Sequence, residues 1–407
     1  MEFLLNAITP SSHSHFEILL LLMVTVWGAG RIFKYFNLPP MLGEILSGVM
    51  LGPAVLGVLP SSEVILVLAE LGVFFLMFHS GLDTNVRDFV AQAKLSAYLA
   101  VAGIIPTVLM ALIAMQAWGF NWLTSLFTAH ILALASVPVI VSVLKTYKLK
   151  NTRIGHAVKG ATVVNEVLLF VILSVILSVA KSGGFSGVFA LWVGVKVLLF
   201  FGVVLALGRV ILPYLAPYVL NRSGSKGFTF ALIVALLFAM LAESIGLHFV
   251  VGAYLAGMFV REEITDNALM HKIEDRFYGL SHSFLGPVFF ASVGMTISFV
   301  AFKTEPLLVL GLLLIVYAGQ CVGALSVGKI TGTLKQRESL IIATLLSGRG
   351  STEIIMAQIG FSTMIVATGE RLVPENLFGV LVLLSFFSSL SMPLIVKWLL
   401  REKKLRT

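Results

Sequence analysis

One carboxylate is singled out by its surroundings. Glu166 lies in GATVVNEVLLFVILSV, about fourteen residues into the apolar run 152–181. An ionisable group at that depth in hydrocarbon is costly, so it is a functional position by default. Asn165 precedes it, and Thr162 stands one helical turn earlier on the same face. A carboxylate with amide and hydroxyl oxygens is a hard-oxygen set that suits an alkali cation. Burial favours the neutral acid, whereas a bound cation favours the carboxylate, so such a group can hold a proton or a cation in turn. The bland alternative is a protonated Glu hydrogen-bonded to a neighbouring helix.

Other charges sit in apolar surroundings. Arg349 and Glu353 are four residues apart in LLSGRGSTEIIMAQIG and can pair, either as a structural ion pair or as part of an ion site. Lys329, in ALSVGKITG, is placed either to reach inward or to snorkel to the interface. Lys159 reads as a snorkelling residue or a vestibule guard. Glu44 and Glu70 are expected to bond helices together. His130, six residues before Ser136, is either a pH-sensitive group or a structural hydrogen-bonder. No Walker A loop, zinc motif or Ser-His-Asp set placed for chemistry is present, which argues against an enzyme or a bound cofactor.

The elements that carry these residues follow from composition. The 407 residues are 58% hydrophobic and 12% charged, about half the charge fraction of a soluble domain. With about 20 apolar residues per membrane-spanning helix, the chain has room for a dozen helices and little else. Apolar runs between polar breaks predict thirteen spans: 16–36, 40–58, 63–82, 94–117, 122–147, 152–181, 188–220, 226–244, 248–261, 274–299, 304–332, 336–367 and 372–400. With the N-terminus outside, twenty Lys and Arg fall at cytoplasmic ends and loops, against Lys181, Lys303 and Arg371 on the opposite side. That bias fixes the orientation and explains the net charge of +8 without nucleic acid. The single cysteine, Cys321, excludes a disulfide framework and a thiolate metal cluster. The expectation is one membrane domain, 1–407, with half-repeats at about 40–181 and 226–400 and no soluble regulatory domain.

Two spans carry a break in corresponding halves. The fifth reads ALASVPVIVSVLK, with Ser136 and Pro138 in its middle, and the twelfth places Gly348, Arg349 and Gly350 in its middle. Proline removes a backbone donor, and paired glycines weaken a helix. Backbone freed at membrane depth survives only where it lines a cavity or meets protein. Matching interruptions in two halves are the pattern of transporters built from inverted repeats, although Pro and Gly also merely kink membrane helices.

At this point the chain resembles the monovalent cation/proton antiporter superfamily, the Na+/H+ exchanger fold. The likeness runs through LPPMLGEILSGVMLGP, LAELGVFFLMFHSGLD, ALASVPVIVSVLK, NTRIGHAVKGATVVNEV, HFVVGAYLAGMFV, FFASVGM, VGKITG and LLSGRGSTE, in order. The resemblance implies an all-α polytopic membrane protein in which two discontinuous helices cross near the midplane and a neighbouring carboxylate binds cation and proton alternately. It implies an elevator-like movement of a core domain against a dimerising scaffold. The family's paired site positions fall on Asn165 and Glu166, its basic partner on Lys329, and the Arg of its RG motif on Arg349. The sequence departs from the family in two places. Glu166 stands where Asp is usual. Val137 replaces the Asp of a Thr-Asp-Pro break, leaving Ser136 and freed backbone carbonyls, Val137 among them, as ligands. The expected activity is exchange of Na+, K+ or Li+ for H+ across the inner membrane by a homodimer, electroneutral if one carboxylate is used. The alternatives are a Kef-type K+-efflux system and a channel or sensor on the same fold.

Overall fold

The computed structural model describes residues 15–36, 40–53, 55–59, 63–83, 93–136, 152–182, 224–245, 249–263, 267–296 and 305–401, with short pieces at 139–149 and between 192 and 214. Among them there is no strand, only an isolated bridge between Met364 and Arg371. In chain order the helices are α1 (His15–Tyr35), α2 (Pro40–Leu51), α3 (Glu63–Asp83), α4 (Ala93–Ala117), α5 (Trp122–Ala133), α6 (Arg153–Ser182) and α7 (Gly224–Ser244). They continue with α8 (Phe249–Glu263), α9 (Asn267–Leu280), α10 (Gly286–Thr296), α11 (Pro306–Thr331), α12 (Gln336–Leu346), α13 (Ser351–Ser362) and α14 (Glu375–Arg401).

Seven described helices are long and apolar enough to cross a bilayer: α1, α3, α4, α6, α7, α11 and α14. The segments Pro40–Leu51, Trp122–Ala133 and Phe249–Arg261 are shorter apolar helices. The predicted spans fall on these elements, except the seventh, 188–220, most of which lies outside the described residues. The tenth is α9 and α10 joined through a π-helical turn, Ser281–Leu285. Pro287 has no N–H to donate, and the backbone just before it runs in a wider turn, with the Gly286 N–H donated to Ser281 O.

The chain divides into two compact units, each drawing on both halves of the sequence. One contains residues 1–83, 208–239 and 252–299. Its core is Ile18, Leu22 and Val26 of α1 with Leu51, Leu59, Ile65, Val288, Ala291 and Met295. Here α2 and α10 meet backbone to backbone. A β-carbon on Gly48 would fall within 2 Å of the Ala291 carbonyl oxygen, at 1.9 Å, so only glycine permits the approach. Arg261, in the last turn of α8, donates to Leu82 O at the end of α3 (2.5 Å).

The other unit contains residues 84–207, 240–251 and 300–407. It is built from two triples, α4–α5–α6 and α11–(α12, α13)–α14, each with an interrupted middle helix. The two leading helices, α4 and α11, pack on small residues: a β-carbon on Gly323 would lie 2.3 Å from the Ala102 carbonyl oxygen. Proline at the start of α11 and Gly332 at its end, with φ of 61°, mark its two limits.

Candidate functional site

The fifth predicted span stops being helical at Ala133. Leu134 leaves with φ −64° and ψ 144°, and 134–136 are non-helical before helical residues resume at 139 and 140. Val137 and Pro138 lie outside the described residues. In the twelfth span the helix ends at Leu346 and restarts at Ser351, with Gly350 at φ −173°, an extended conformation open to any residue. The glycine there answers to space instead. A β-carbon on Gly350 would lie 2.5 Å from Ser136 Oγ and 2.7 Å from Val139 Cγ2. The two interruptions therefore pack directly against one another, Gly350 against the side chains of Ser136 and Val139.

Every backbone group freed at the first break for which a partner is described is accounted for. The Ser136 N–H donates to Gly348 O of the other break (3.0 Å), and Ser136 O accepts from the Ile140 N–H (3.1 Å). Asn165 of α6 closes the rest: its Nδ2 donates to Ala133 O (2.9 Å), and its Oδ1 accepts from the Ala135 N–H (3.2 Å). Arg349 donates through Nη2 to Leu132 O (2.5 Å) and through Nη1 to Leu346 O (3.2 Å). At this depth water is not on hand to do the same, so interrupted helices persist only with such partners.

The second break is stitched by α14. Ser388 Oγ donates to Ser347 O (2.7 Å), and Ser389 Oγ donates to Arg349 O (2.5 Å). Ser385 Oγ donates to Glu353 Oε2 (2.8 Å), while Glu353 Oε1 lies 3.0 Å from Arg349 Nε. Arg349 is 0% exposed and Glu353 2%. The Arg349–Glu353 pair is thus a closed, fully buried ion pair that anchors the break, with each member also hydrogen-bonded.

Glu166 is 1% exposed and follows directly on the residue that ties α6 to the first break. Thr162, one turn before, is buried and donates its hydroxyl back to Val158 O (2.8 Å), which leaves the oxygen's lone pairs toward its surroundings. Ser136 Oγ is buried at the crossing and makes no hydrogen bond among the described residues. Of these groups, Asn165 and Ser136 stand at the crossing, while Glu166 and Thr162 are buried on the same helix as Asn165.

Comparison with known proteins addresses the chain as a whole. The family model for the transmembrane sodium/hydrogen exchanger matches residues 18–402. The chain belongs to the sodium/hydrogen exchanger family. Among its relatives is the Na(+)/H(+) antiporter of Enterococcus hirae, 28% identical over 386 residues, with 95% of this chain and 98% of the relative covered. The Na(+)/H(+)-K(+) antiporter GerN of Bacillus cereus is 26% identical, with 94% and 95% covered. The structure of the sodium proton antiporter MjNhaP1 from Methanocaldococcus jannaschii matches with a TM-score of 0.69 over 98% of this chain and 97% of that one, at 18% identity. The exchanger fold, with two crossing discontinuous helices, is the fold of this chain.

Within this family member, the crossing brings together Ser136, Asn165, Arg349, Gly348 and Gly350, with Glu166 and Glu353 buried in the same unit. Lys329 is not among them. It is exposed in the last turn of α11, where its neighbour Gly328 packs against Ser339 in the first turns of α12. Eight residues separate Ser339 from the break at Ser347, about 12 Å along a helix axis. The basic group at the crossing is Arg349. His130 is buried with neither ring nitrogen hydrogen-bonded among the described residues.

Sequence reasoning missed the serines of α14. Their signal was present: Ser385, Ser388 and Ser389 repeat at i, i+3 and i+4 along an otherwise apolar helix. In a membrane span such a stripe faces protein.

Proposed function

We propose that this chain exchanges a monovalent cation for H+, with Na+ the favoured cation and K+ the second, and that the two compete for Glu166. The observation that carries the reading is the anchoring of Asn165 to Ala133 and Ala135 at the first break, with the adjacent Glu166 buried at 1% exposure in the same unit. The names of the relatives point the same way, and that of GerN supports K+ as an alternative cargo. In this reading Glu166 is deprotonated when it holds the cation and protonated when the cation leaves. Ser136, Thr162, the amide oxygen of Asn165 and the carbonyls at the break, Val137 included, supply the remaining oxygens.

The stoichiometry follows from the charges. Arg349 and Glu353 neutralise one another, and Lys329 is exposed at a helix end. One carboxylate then trades one proton for one monovalent cation, and exchange is electroneutral. The unit carrying both breaks moves as one body between the two membrane faces, the elevator mode. The working form is a homodimer in the inner membrane, with the N-terminus outside and the C-terminus cytoplasmic.

The experiment is a proteoliposome assay with an internal pH dye across Na+, K+ and Li+. Imposed cation gradients should move protons in the wild type and not in Glu166→Gln. Glu166→Asp should retain exchange with a changed apparent affinity, and the apparent KM for Na+ should rise as pH falls, because protons compete. Exchange retained by Glu166→Gln would overturn the site, and Na+ uptake driven by membrane potential alone would overturn electroneutrality.

A further inference from the structure

The unit that contains α1 and α2 holds a cavity of about 240 Å³ that exchange does not use. Its mouth is a ladder on one face of α1. Trp27, Arg31 and Lys34 stand at i, i+4 and i+7, in the last two turns of a membrane-spanning helix. Trp27 is 67% exposed, and the Arg31 guanidinium lies 5.7 Å from the centre of its ring. A cation held against an aromatic face at a helix end is the chemistry of the membrane–water boundary, where Trp and basic side chains meet headgroups.

The floor of the same cavity is acidic. Glu44 of α2 is 9% exposed, and its Oε1 faces α1, 3.7 Å from where a β-carbon on Gly30 would stand. The expected helix-to-helix bond of Glu44 is not made: among the described residues its carboxylate has no hydrogen bond and no ion pair. A carboxylate more than nine-tenths buried and aimed into a cavity calls for a cationic or donor partner. The rest of the lining is mostly apolar, from Met23, Val26, Pro40 and Pro287, with His282 and Ser283 of the π-helical turn as its other polar members.

A cavity with two exposed cations at the mouth, an unmatched buried carboxylate and a mostly apolar remainder, on a helix long and apolar enough to span a membrane, is complementary to a headgroup that carries both charges. We propose that this cavity binds a glycerophospholipid whose headgroup joins a phosphate to a primary ammonium, with the phosphate on Arg31 and Lys34 and the ammonium on Glu44. Arg31 offers the fork that matches a phosphate, and Lys34 a point charge beside it. A primary ammonium keeps three N–H donors for the carboxylate, whereas a quaternary ammonium has none. An alkali ion is a poor occupant, because it would have to pass both cations at the mouth. The shared chemistry is that of phosphoethanolamine. The apolar walls and the exposed Trp27 on a spanning helix favour the lipid over the free compound.

The test uses the purified full chain in detergent micelles and reads thermal unfolding against added lipid. Phosphatidylethanolamine should stabilise at about tenfold lower concentration than phosphatidylcholine or phosphatidylglycerol, the worth of about one charge-assisted hydrogen bond. Glu44→Gln should erase the preference for the primary ammonium. The double variant Arg31→Gln/Lys34→Gln changes only exposed side chains, so it keeps the test valid if Glu44→Gln fails to fold, and it should lose most of the response to phosphatidylethanolamine. Soluble O-phosphoethanolamine at the same concentrations should have no effect, and a response equal to that of the lipid would overturn the membrane source. Equal responses to the three lipids, or a preference for phosphatidylethanolamine unchanged in the variants, would overturn the site.

Discussion

Asn165 offers the sharpest test of how the crossing is held, because its two roles predict opposite results. As a strut it makes two hydrogen bonds to the first break, donating to Ala133 O at 2.9 Å and accepting from the Ala135 N–H at 3.2 Å. Asn165→Ala orphans both backbone groups. Orphaned buried groups in soluble proteins cost about 1–3 kcal/mol each, but interhelical bonds in a membrane protein average about 0.6 kcal/mol with a maximum near 1.7. The membrane figures are the relevant ones and put the loss at about 1–3 kcal/mol in total. That corresponds to a fall in Tm of roughly 2–10 °C for a unit of this size. Asn165→Asp is the discriminating variant. It keeps the acceptor for Ala135 but loses the donor, and sets a carboxylate oxygen against the Ala133 carbonyl. A strut should therefore be destabilised by Asp nearly as much as by Ala. If the amide served only as an oxygen ligand for the cation, Asp would be tolerated and would tighten cation binding. The assay is thermal unfolding of the purified chain in detergent, paired with cation-driven proton movement in proteoliposomes. Tm values for both variants within 1 °C of wild type would refute the strut and leave the crossing without its main lateral tie to α6.

Further outcomes follow from the same geometry. Arg349→Ala should be among the most damaging single changes, at about 3–5 kcal/mol, because it strands buried Glu353, and the double variant Arg349→Ala/Glu353→Ala should recover part of the loss in a double-mutant cycle of unfolding. Gly350→Ala should lower Tm by forcing a methyl group against Ser136 Oγ and Val139, and Ser136→Gly should partly rescue it by clearing one of the two contacts. Ser388→Ala, which leaves Ser347 O short of its donor, should cost about 1 kcal/mol and slow exchange more than it shifts the apparent cation affinity. Lys329→Ala should leave both the exchange rate and its lack of response to membrane potential unchanged, and a loss of exchange would place the lysine's charge in the transport cycle after all.

Much of this protein is local, and what is local was legible. A run of about 20 apolar residues has one stable backbone solution in hydrocarbon, a helix, so α1, α3, α4, α6, α11 and α14 could be placed to within a few residues. The depth of Glu166 in its run foretold burial, and Ser136 in one span and Gly348 and Gly350 in the other fall within interruptions. The role of Gly350 was legible only in part: the residue type announced a break, but its φ of −173° asks nothing special of the backbone. Its reason is a neighbour that the sequence does not name.

What the fold alone decided is which distant groups meet. Asn165 reaches Ala133 and Ala135 across some thirty residues, Arg349 reaches Leu132 across 217, and Ser388 reaches Ser347 across 41. Helical periodicity says which side chains share a face, but not which partner that face will find. The same limit explains Lys329. Its position in an apolar run allowed it to point inward or out, and in the fold it is exposed while its neighbour Gly328 packs on Ser339. Residue type and spacing set the helices, their interruptions and the buried acid, because those depend on solvent and on a few neighbours in the chain. The crossing itself, where backbone groups of Ser136, Ala133, Ala135, Leu132 and Ser347 find partners far away in sequence, exists only once the two triples have packed.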